Sequence, residues 1–403
     1  MKRPLSCRST ILASYNSYIV QAIVINLSPL LFLLFREQFG VSLSQLSLLI
    51  VINFSSQLFI DFSASRIGDR IPPRILILTA HSSAFTGLIC LSVLPRVMSP
   101  FPGLLIATFL LGLGGGLIEV MVSPLVEACP TEGKSRNMSL LHSFYSWGQA
   151  GVVILSGIYF LFFDIVSSWQ YLPLIWAIFP LTGAISFCFV PVYRLPTVRE
   201  SGMTTGKLFS TPVFLLLLII MICSGASEQC MNQWASLFAE SGLGVSKTLG
   251  DLLGPGAFAL AMGLFRVLSG VISEKIRLTV VMAICCVLCI ISYLLVALPT
   301  PPIVSLIGCM LCGASVACYW PGTLSLGAAS IPGGGISMFA LLALAGDIGC
   351  LLGPAVAGNV SDLAGGDLRF GFRFALIFPL VMLTALFLMS RIQSSRKGAG
   401  TNR

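Results

Sequence analysis

Charged residues are scarce in this sequence. Of its 403 residues only 15 are acidic and 23 are basic, so 9% carry a charge, whereas soluble domains are about 25% charged. So few charges could not cover the surface of a soluble protein of this length. Because 56% of the residues are hydrophobic and lie in long runs, the composition predicts a polytopic membrane protein.

Residues that catalyse reactions or bind metals are also rare. The two histidines, His81 and His142, stand 61 positions apart, and no Asp-rich loops accompany them, as a polytopic metalloenzyme would require. Cys309 and Cys312 form a C-x-x-C in an apolar run without a second thiol pair, so we interpret them as packing residues. No basic face indicates nucleic acid, and no repeated filter loop indicates a channel. We expect no enzyme activity, no cofactor and no metal.

Prolines, glycines and charges divide the apolar runs into twelve segments, each close to the roughly 20 residues that cross a bilayer. The longest polar stretch between them, 192–211, follows the sixth segment. The sequence therefore predicts an all-α membrane protein with an N-terminal six-helix half (1–191), a cytoplasmic linker (192–211) and a C-terminal six-helix half (212–403). The predicted spans are 11–35, 43–65, 75–96, 102–127, 138–163, 169–191, 212–238, 249–272, 278–298, 302–328, 334–360 and 371–391.

The basic residues predict the orientation. Seventeen of the 23 lie on the side that holds both termini, five lie on the opposite side, and Arg266 lies within a span. Because Lys and Arg concentrate in cytoplasmic loops, we expect both termini to be cytoplasmic. We expect a monomer in the plasma (inner) membrane.

The two predicted halves repeat each other at one point. "DFSASRIGDR" (61–70) follows the second span and "GVISEKIRLT" (270–279) follows the eighth, and each joins a small-residue helix end to a charge cluster. Parallel repeats are an architecture of secondary transporters. The first stretch resembles the major facilitator superfamily signature G-x-x-x-D-R-x-G-R-R, although Asp61 and Ser65 depart from it. The resemblance implies the superfamily's fold and a cytoplasmic gate formed by Arg66, Arg70, Arg266 and Glu274. The alternative is that these charges only anchor the topology.

Three acids stand inside predicted spans: Glu119 in the fourth, Glu228 in the seventh and Asp347 in the eleventh. An ionised side chain at the bilayer centre costs at least about 2.5–3.5 kcal/mol, so such residues usually line a cavity or a pathway. We interpret Asp347 as a second proton or cation site. The alternative is that it pairs with a neighbour in its own helix.

Glu119 lies in "GLGGGLIEVMVSP". A lone intramembrane acid can hold a proton in apolar surroundings and release it when its site opens to water. The segment resembles the fucose/proton symporter branch of the superfamily, whose fourth span reads G-x-x-E-x-x-x-N-P. Glu119 and Pro124 match that pattern and Ser123 replaces the Asn. The resemblance implies that Glu119 carries the coupling proton, and the alternative is a structural glutamate bonded to a neighbouring helix.

Glu228, Asn232 and Trp234 lie close together in "GASEQCMNQW" of the seventh span. Amides bond hydroxyl groups and an indole face stacks on C–H surfaces, so a polar and aromatic helix face suits a sugar. The symporter branch carries G-A-E with a Trp six residues later, a spacing that Glu228 and Trp234 reproduce. The resemblance implies a substrate site, and the alternative is a packing amide beside an interfacial Trp.

Four further residues are candidates for substrate binding. Asn26 stands in the first span, where the symporter branch has an aspartate, and it can bond a sugar hydroxyl but cannot carry a proton. His142 in the fifth span can bond a solute or titrate near neutral pH, or it can be a packed or hydrated histidine. Tyr319 and Trp320 in the tenth span can flank a cavity, or they can pack, as aromatic residues in membrane helices often do.

These features together predict a proton-coupled symporter for a small polar solute, with a sugar as the favoured class, that works by alternating access. Its partners are the solute, the proton and the lipid bilayer. A drug/proton antiporter of the same superfamily is the alternative. That function predicts a more apolar cavity and a fifth span rich in G-x-x-x-G-P-x-x-G, which "WGQAGVVILSG" matches poorly. A polytopic membrane enzyme is the least favoured interpretation.

Overall fold

The computed structural model describes residues 7–67, 71–131, 134–193, 203–273, 276–331 and 333–400. Within these ranges the chain forms helices and no strand. Twelve helical segments are long and apolar enough to cross a membrane, which confirms the twelve predicted spans. They are Cys7–Phe39, Leu43–Ile60, Pro73–Val97, Pro100–Glu127, Ser143–Phe162, Tyr171–Phe189, Pro212–Gly242, Lys247–Arg266, Leu278–Ala297, Pro302–Ser330, Met338–Leu363 and Leu368–Ile392.

The first of two compact units comprises Met1–Val198 and Gly244–Leu252. Pro73 and Pro100 each begin a helix of this unit, where the missing N–H leaves no hydrogen bond unmade. Gly40 ends another helix in the left-handed conformation with φ of 65°. The helices of this unit are α1 (Cys7–Asn26), which continues through a 3₁₀ turn (Ser28–Leu31) into α2 (Phe32–Phe39), α3 (Leu43–Ile67), α4 (Pro73–Val97), α5 (Pro100–Glu127), α6 (Lys134–Phe162), α7 (Ile165–Ser168), α8 (Tyr171–Trp176), α9 (Ile178–Phe189) and α12 (Lys247–Asp251).

Helix α5 packs closely against α1, α3 and α4 because it carries a run of glycines. A methyl group added at Gly112 would lie 2.5 Å from the carbonyl oxygen of Asn53 in α3. One added at Gly114 would lie 2.7 Å from the backbone nitrogen of Ala84 in α4. Small residues of this kind let membrane helices approach closely, and here they bring the following turn of α5, which carries Glu119, next to α1.

The second compact unit comprises Arg199–Leu243 and Leu253–Arg403. The predicted linker 192–211 contains a short helix, α10, and its residues 194–202 lie outside the described residues. The helices of this unit are α10 (Thr205–Phe209), α11 (Pro212–Leu237), α13 (Ala257–Ser273), α14 (Leu278–Ala297), α15 (Pro302–Val316), α16 (Tyr319–Ser330), α17 (Gly335–Leu363), α18 (Leu368–Ala375) and α19 (Ile377–Gly400), with π-helical turns at Phe238–Gly242 and Leu252–Gly256.

The helices of each unit pack in the same pattern. In the first unit α1 contacts α6 and α9, and α5 contacts α3 and α4. In the second unit α11 contacts α17 and α19, and α15 contacts α13 and α14. The corresponding helices occupy the same places along the two halves of the chain, which is the pattern that a parallel repeat produces.

Candidate functional site

The Glu119 carboxylate is held by an amide rather than by a cation. Gln21 of α1 donates from Nε2 to Glu119 Oε2 at 3.2 Å and to Gln57 Oε1 of α3 at 3.0 Å. No basic side chain pairs with Glu119 in the part of the chain that the structure describes. The Glu119 side chain is exposed, whereas Gln21 and Gln57 are buried. Glu119 is therefore an exposed carboxylate whose hydrogen-bond partner belongs to a buried pair of amides.

The amide chain continues behind Gln21. Gln57 donates from Nε2 to Asn53 Oδ1 at 2.6 Å, and Asn53 donates from Nδ2 to the Val24 carbonyl at 3.4 Å. Three buried amides thus join α1 and α3 to Glu119 on α5. Sequence reasoning did not single out Asn53 and Gln57. The signal that could have found them is two amides four residues apart, hence on one helix face, in an otherwise apolar span.

The residue that departs from the symporter motif also contributes to this contact between α1 and α5. Ser123 Oγ lies 2.9 Å from Tyr18 Oη, one helical turn after Glu119. Pro124 lies inside α5 and has no N–H, so the Val120 carbonyl has no donor within the helix. The helix is thus weakened next to the acid.

The second acid, Glu228, is buried in α11 and incompletely hydrogen-bonded. Gln229 donates from Nε2 to Glu228 Oε1 at 3.4 Å. Glu228 Oε2 has no hydrogen-bond partner among the described residues. The positive charge of Arg266 is close enough to interact electrostatically with Glu228. Glu228 is therefore an intramembrane acid with a cation nearby, unlike Glu119.

Arg266 lies on α13, seven residues before the helix ends at Ser273. Its Nε donates to the Ala317 carbonyl at 3.4 Å, at the break between α15 and α16. Pro321 stands four residues after Ala317 and has no N–H, so this carbonyl is left free for Arg266. In the structure Arg266 lies beside Ala317 and within electrostatic reach of Glu228. Its place at the cytoplasmic gate, which the superfamily signature implied, stays a prediction.

The other gate residues cannot be located in the same way. Arg70 and Glu274 lie outside the described residues, as does the side chain of Arg66. The gate stays a prediction.

Trp234 packs between helices. Its indole has no exposed surface, and its Nε1 donates to the Pro354 carbonyl of α17 at 3.0 Å. The two helices approach so closely there that methyl groups added at Gly349 and Gly353 would overlap carbonyl oxygens of α11. Stacking on a sugar requires an open ring face, which Trp234 does not present in this conformation. Sugar binding by Trp234 stays a prediction.

Asn232 belongs to a cluster of amides on α11. Asn232 Nδ2 donates to Gln229 Oε1 at 3.3 Å, and Gln233 Nε2 donates to the same oxygen at 3.1 Å. All three side chains are buried. We call Gln229, Asn232 and Gln233 the α11 amide cluster. It follows Glu228 directly and extends the polar stretch that the sequence indicated.

Tyr319, Trp320 and Asp347 lie around the start of α16. Tyr319 is fully buried, and its hydroxyl donates to the Cys285 carbonyl at 3.2 Å. The half-buried ring of Trp320 covers Gly346, where an added methyl group would lie 2.7 Å from Cζ2. Asp347, the next residue of α17, is also half-buried. The structure thus brings Trp320 close to the Asp347 segment, while Tyr319 is tied to α14.

Asn26 and His142 are the remaining predicted substrate residues. Asn26 is buried, and its Nδ2 donates to the Ala22 carbonyl of its own helix at 2.9 Å. The His142 side chain lies outside the described residues. Substrate binding by both stays a prediction. Among the described residues, no three His, Cys, Asp or Glu side chains are placed to hold a metal ion.

Comparisons with known proteins place this geometry in context. Residues 9–354 match the family model for the Major Facilitator Superfamily. No curated protein sequence matches the chain significantly. A mutant of the nucleoside transporter NupG superposes with a TM-score of 0.78 at 12% identity, covering 95% of this chain and 99% of its own. A bacterial homolog of the human lysosomal transporter Spinster, inward-facing and occupied, gives 0.77 at 15%, covering 94% and 96%.

The Escherichia coli fucose:proton symporter FucP superposes with a TM-score of 0.64 at 16% identity, covering 95% of this chain and 98% of its own. At such identities the solved structures show the fold alone. FucP among them is consistent with the resemblance found in the fourth and seventh spans. The family model spans most of the sequence, and the twelve spans and repeated packing agree with it. The chain therefore belongs to the major facilitator superfamily of membrane transporters.

Proposed function

We propose that this protein is a proton-coupled symporter of a small polar solute, with a sugar as the favoured class, and that Glu119 carries the coupling proton. One observation carries the proposal. Glu119 is an exposed carboxylate within a span, bonded to a neutral amide and without a basic partner among the described residues. A fixed cation would hold such an acid ionised, whereas its absence leaves the charge free to change.

Gln21 suits both protonation states of Glu119. In the present arrangement its Nε2 donates to the carboxylate. Its Oε1 is buried without a hydrogen-bond partner among the described residues. A carboxylic acid has a proton to donate, and a rotated Gln21 amide offers it that oxygen as acceptor. The same side chain can therefore bond Glu119 before and after protonation.

The solute class is argued from the polar groups within the two units. The chain of Asn53, Gln57 and Gln21 and the α11 amide cluster supply neutral donors and acceptors inside the spans. Amides bond hydroxyl groups without requiring a charge on the solute. NupG is named as a nucleoside transporter and FucP as a fucose:proton symporter, so polar, hydroxyl-rich solutes suit this fold. A drug antiporter would be expected to present a more apolar interior.

Asp347 and the remaining predicted substrate residues belong to the proposal as second candidates. Asp347 is half-buried and directly follows Gly346, which the Trp320 ring covers. At this place Asp347 would serve as a second proton or cation site. We further propose alternating access between two six-helix halves, an inner-membrane location with both termini cytoplasmic, and a monomer.

The experiment replaces Glu119 with Gln in purified protein reconstituted into liposomes. Uptake of radiolabelled sugars and nucleosides is measured under an imposed pH gradient and, separately, as counterflow exchange without a gradient. We expect Glu119→Gln to lose gradient-driven uptake at least tenfold and to retain exchange, because exchange needs solute binding but no net proton movement. Glu127→Gln is the matched control, since Glu127 is an exposed acid at the end of the same helix.

Two results would overturn the proposal. If Glu119→Gln retained gradient-driven uptake, another group would carry the proton, and Asp347→Asn would be the next variant. If protons flowing into the liposomes drove the solute out of them in the wild type, the protein would be an antiporter.

A further inference from the structure

An apolar groove runs between α14 and α19 on the outside of the second unit. Its volume is about 550 Å³, and its walls are aliphatic and aromatic side chains such as Ile284 and Val287 of α14 and Leu383 and Phe387 of α19. Ile284 is 60% exposed and Phe387 is 55% exposed. On a helix pair that spans the bilayer, side chains this open and this apolar are in contact with lipid.

The groove is about as long as one leaflet is deep. On α14 its lining extends from Thr279 to Ile291, which is about 18 Å of helix. Half of a hydrocarbon core of about 30 Å is about 15 Å. The groove can therefore receive the acyl chain of a lipid from one leaflet along most of its length.

Polar and basic groups gather at one end of the groove. Thr279, near the start of α14, and Ser390, near the end of the last span (Leu368–Ile392), are its hydroxyl-bearing lining residues. The exposed side chains of Arg277, which directly precedes α14, and Arg391, which follows Ser390, flank this end. The Arg391 guanidinium lies 4.6 Å from the ring centroid of Phe387, a wall of the groove. Two cations and two hydroxyl groups thus lie where the apolar groove meets the membrane surface.

We propose that this groove is a binding site for one anionic phospholipid, whose acyl chain lies between α14 and α19 and whose phosphate is held by Arg277 and Arg391. The positive-inside distribution of the basic residues places this end in the cytoplasmic leaflet, where anionic lipids attract basic residues. Guanidinium groups suit phosphate because they donate several hydrogen bonds from a flat fork. A zwitterionic lipid offers the same chain but less net charge at this end, so it binds more weakly.

Native mass spectrometry of the full-length protein tests this site. The protein is released from detergent micelles that contain either phosphatidylglycerol or phosphatidylcholine with the same acyl chains, and retained lipid is counted. We expect one phosphatidylglycerol to bind at least tenfold more tightly than phosphatidylcholine. The double variant Arg277→Gln/Arg391→Gln should lose that preference. Arg8→Gln is the control, since Arg8 is exposed on the same predicted membrane side in the other unit.

A second variant tests the groove itself. Ile284→Trp fills the groove at an exposed position without altering a charge or the buried core. It should reduce binding of phosphatidylglycerol about as strongly as the double arginine variant. The site is disproved if phosphatidylglycerol and phosphatidylcholine bind equally to the wild type, or if Ile284→Trp retains wild-type binding. Crosslinking of two chains through the groove would also overturn it, since the occupant would then be a second copy.

Discussion

Individual glycines differ in what a single methyl group would meet. Gly112 on α5 faces the Asn53 carbonyl, and an added Cβ would lie 2.5 Å from it. Gly151 on α6 has no atom within 4 Å of the same position. The two residues are alike in sequence, since both stand in the middle of an apolar helix, but only one of them is required for close packing.

We therefore expect Gly112→Ala and Gly151→Ala to have opposite consequences. Gly112→Ala should destabilise the protein by about 1–3 kcal/mol, because α5 must move away from α3. Gly151→Ala should be neutral or slightly stabilising, because Ala favours the helix. Thermal unfolding in detergent compares the two melting temperatures. Equal melting temperatures would show that α5 and α3 do not approach as closely as the structure indicates. Gly112→Ala should also reduce transport, because Asn53 and Gln57 support Gln21.

Among the helices, α12 is the one whose compact unit cannot be predicted from its position in the sequence. It begins the eighth span in the second half of the chain, yet Gly244–Leu252 belongs to the first compact unit. Its Lys247 ammonium donates to the Leu30 carbonyl and lies 3.0 Å from Asp251 Oδ2. Thr248 Oγ1 donates to the Gly157 carbonyl of α6 at 3.4 Å. These contacts attach α12 to the first unit.

Asp251 is fully buried and Lys247 is 12% exposed, so removing the Lys247 cation should destabilise the protein. Removing one partner of a buried ion pair typically costs about 3–5 kcal/mol because a buried charge loses its compensation. We expect Lys247→Met to lower the melting temperature clearly. The double variant Lys247→Met/Asp251→Asn should recover most of that loss, because no uncompensated charge remains. Additive effects of the two single changes would contradict a direct pairing of these residues.

For the molecule as a whole, the distribution of basic residues predicts a topology that can be measured directly. An even number of spans puts both termini on one side of the membrane, and the seventeen-to-five bias predicts that this side is cytoplasmic. An epitope inserted after Ser99, between α4 and α5, should bind antibody on intact spheroplasts. An epitope at the C-terminus should bind only after permeabilisation. Binding of the C-terminal epitope on intact spheroplasts would reverse the predicted orientation.

Hydropathy was enough to predict the number and the approximate ends of the spans, because each must bury its own backbone hydrogen bonds in about 20 apolar residues. Helix breaks inside a span were harder to place. One such break separates α15 from α16, and the sequence could not show that Arg266 donates to the Ala317 carbonyl that this break leaves free. A residue on another helix supplied that hydrogen bond.

The same limit applies to the candidate site. Glu119, Glu228 and Asp347 could be found from the sequence because charge within an apolar span is costly and therefore rare. The pairing of Glu119 with its amides could not be found in this way, since Gln21, Gln57 and Asn53 come together only when α1, α3 and α5 pack. Trp234 shows the converse. Its spacing from Glu228 suggested a stacking surface, yet its burial against Pro354 depends on the close approach of α11 and α17.

The scarcity of charge thus indicated a membrane protein and marked a few acids as exceptional, and the apolar runs gave the number of spans. Both follow from the sequence because the cost of transferring each residue into lipid depends mainly on the residue itself. Which amide holds Glu119, which cation lies near Glu228, and which unit holds α12 depended on the packed structure. These are contacts between residues distant in sequence, and their energies exist only once the helices are in place.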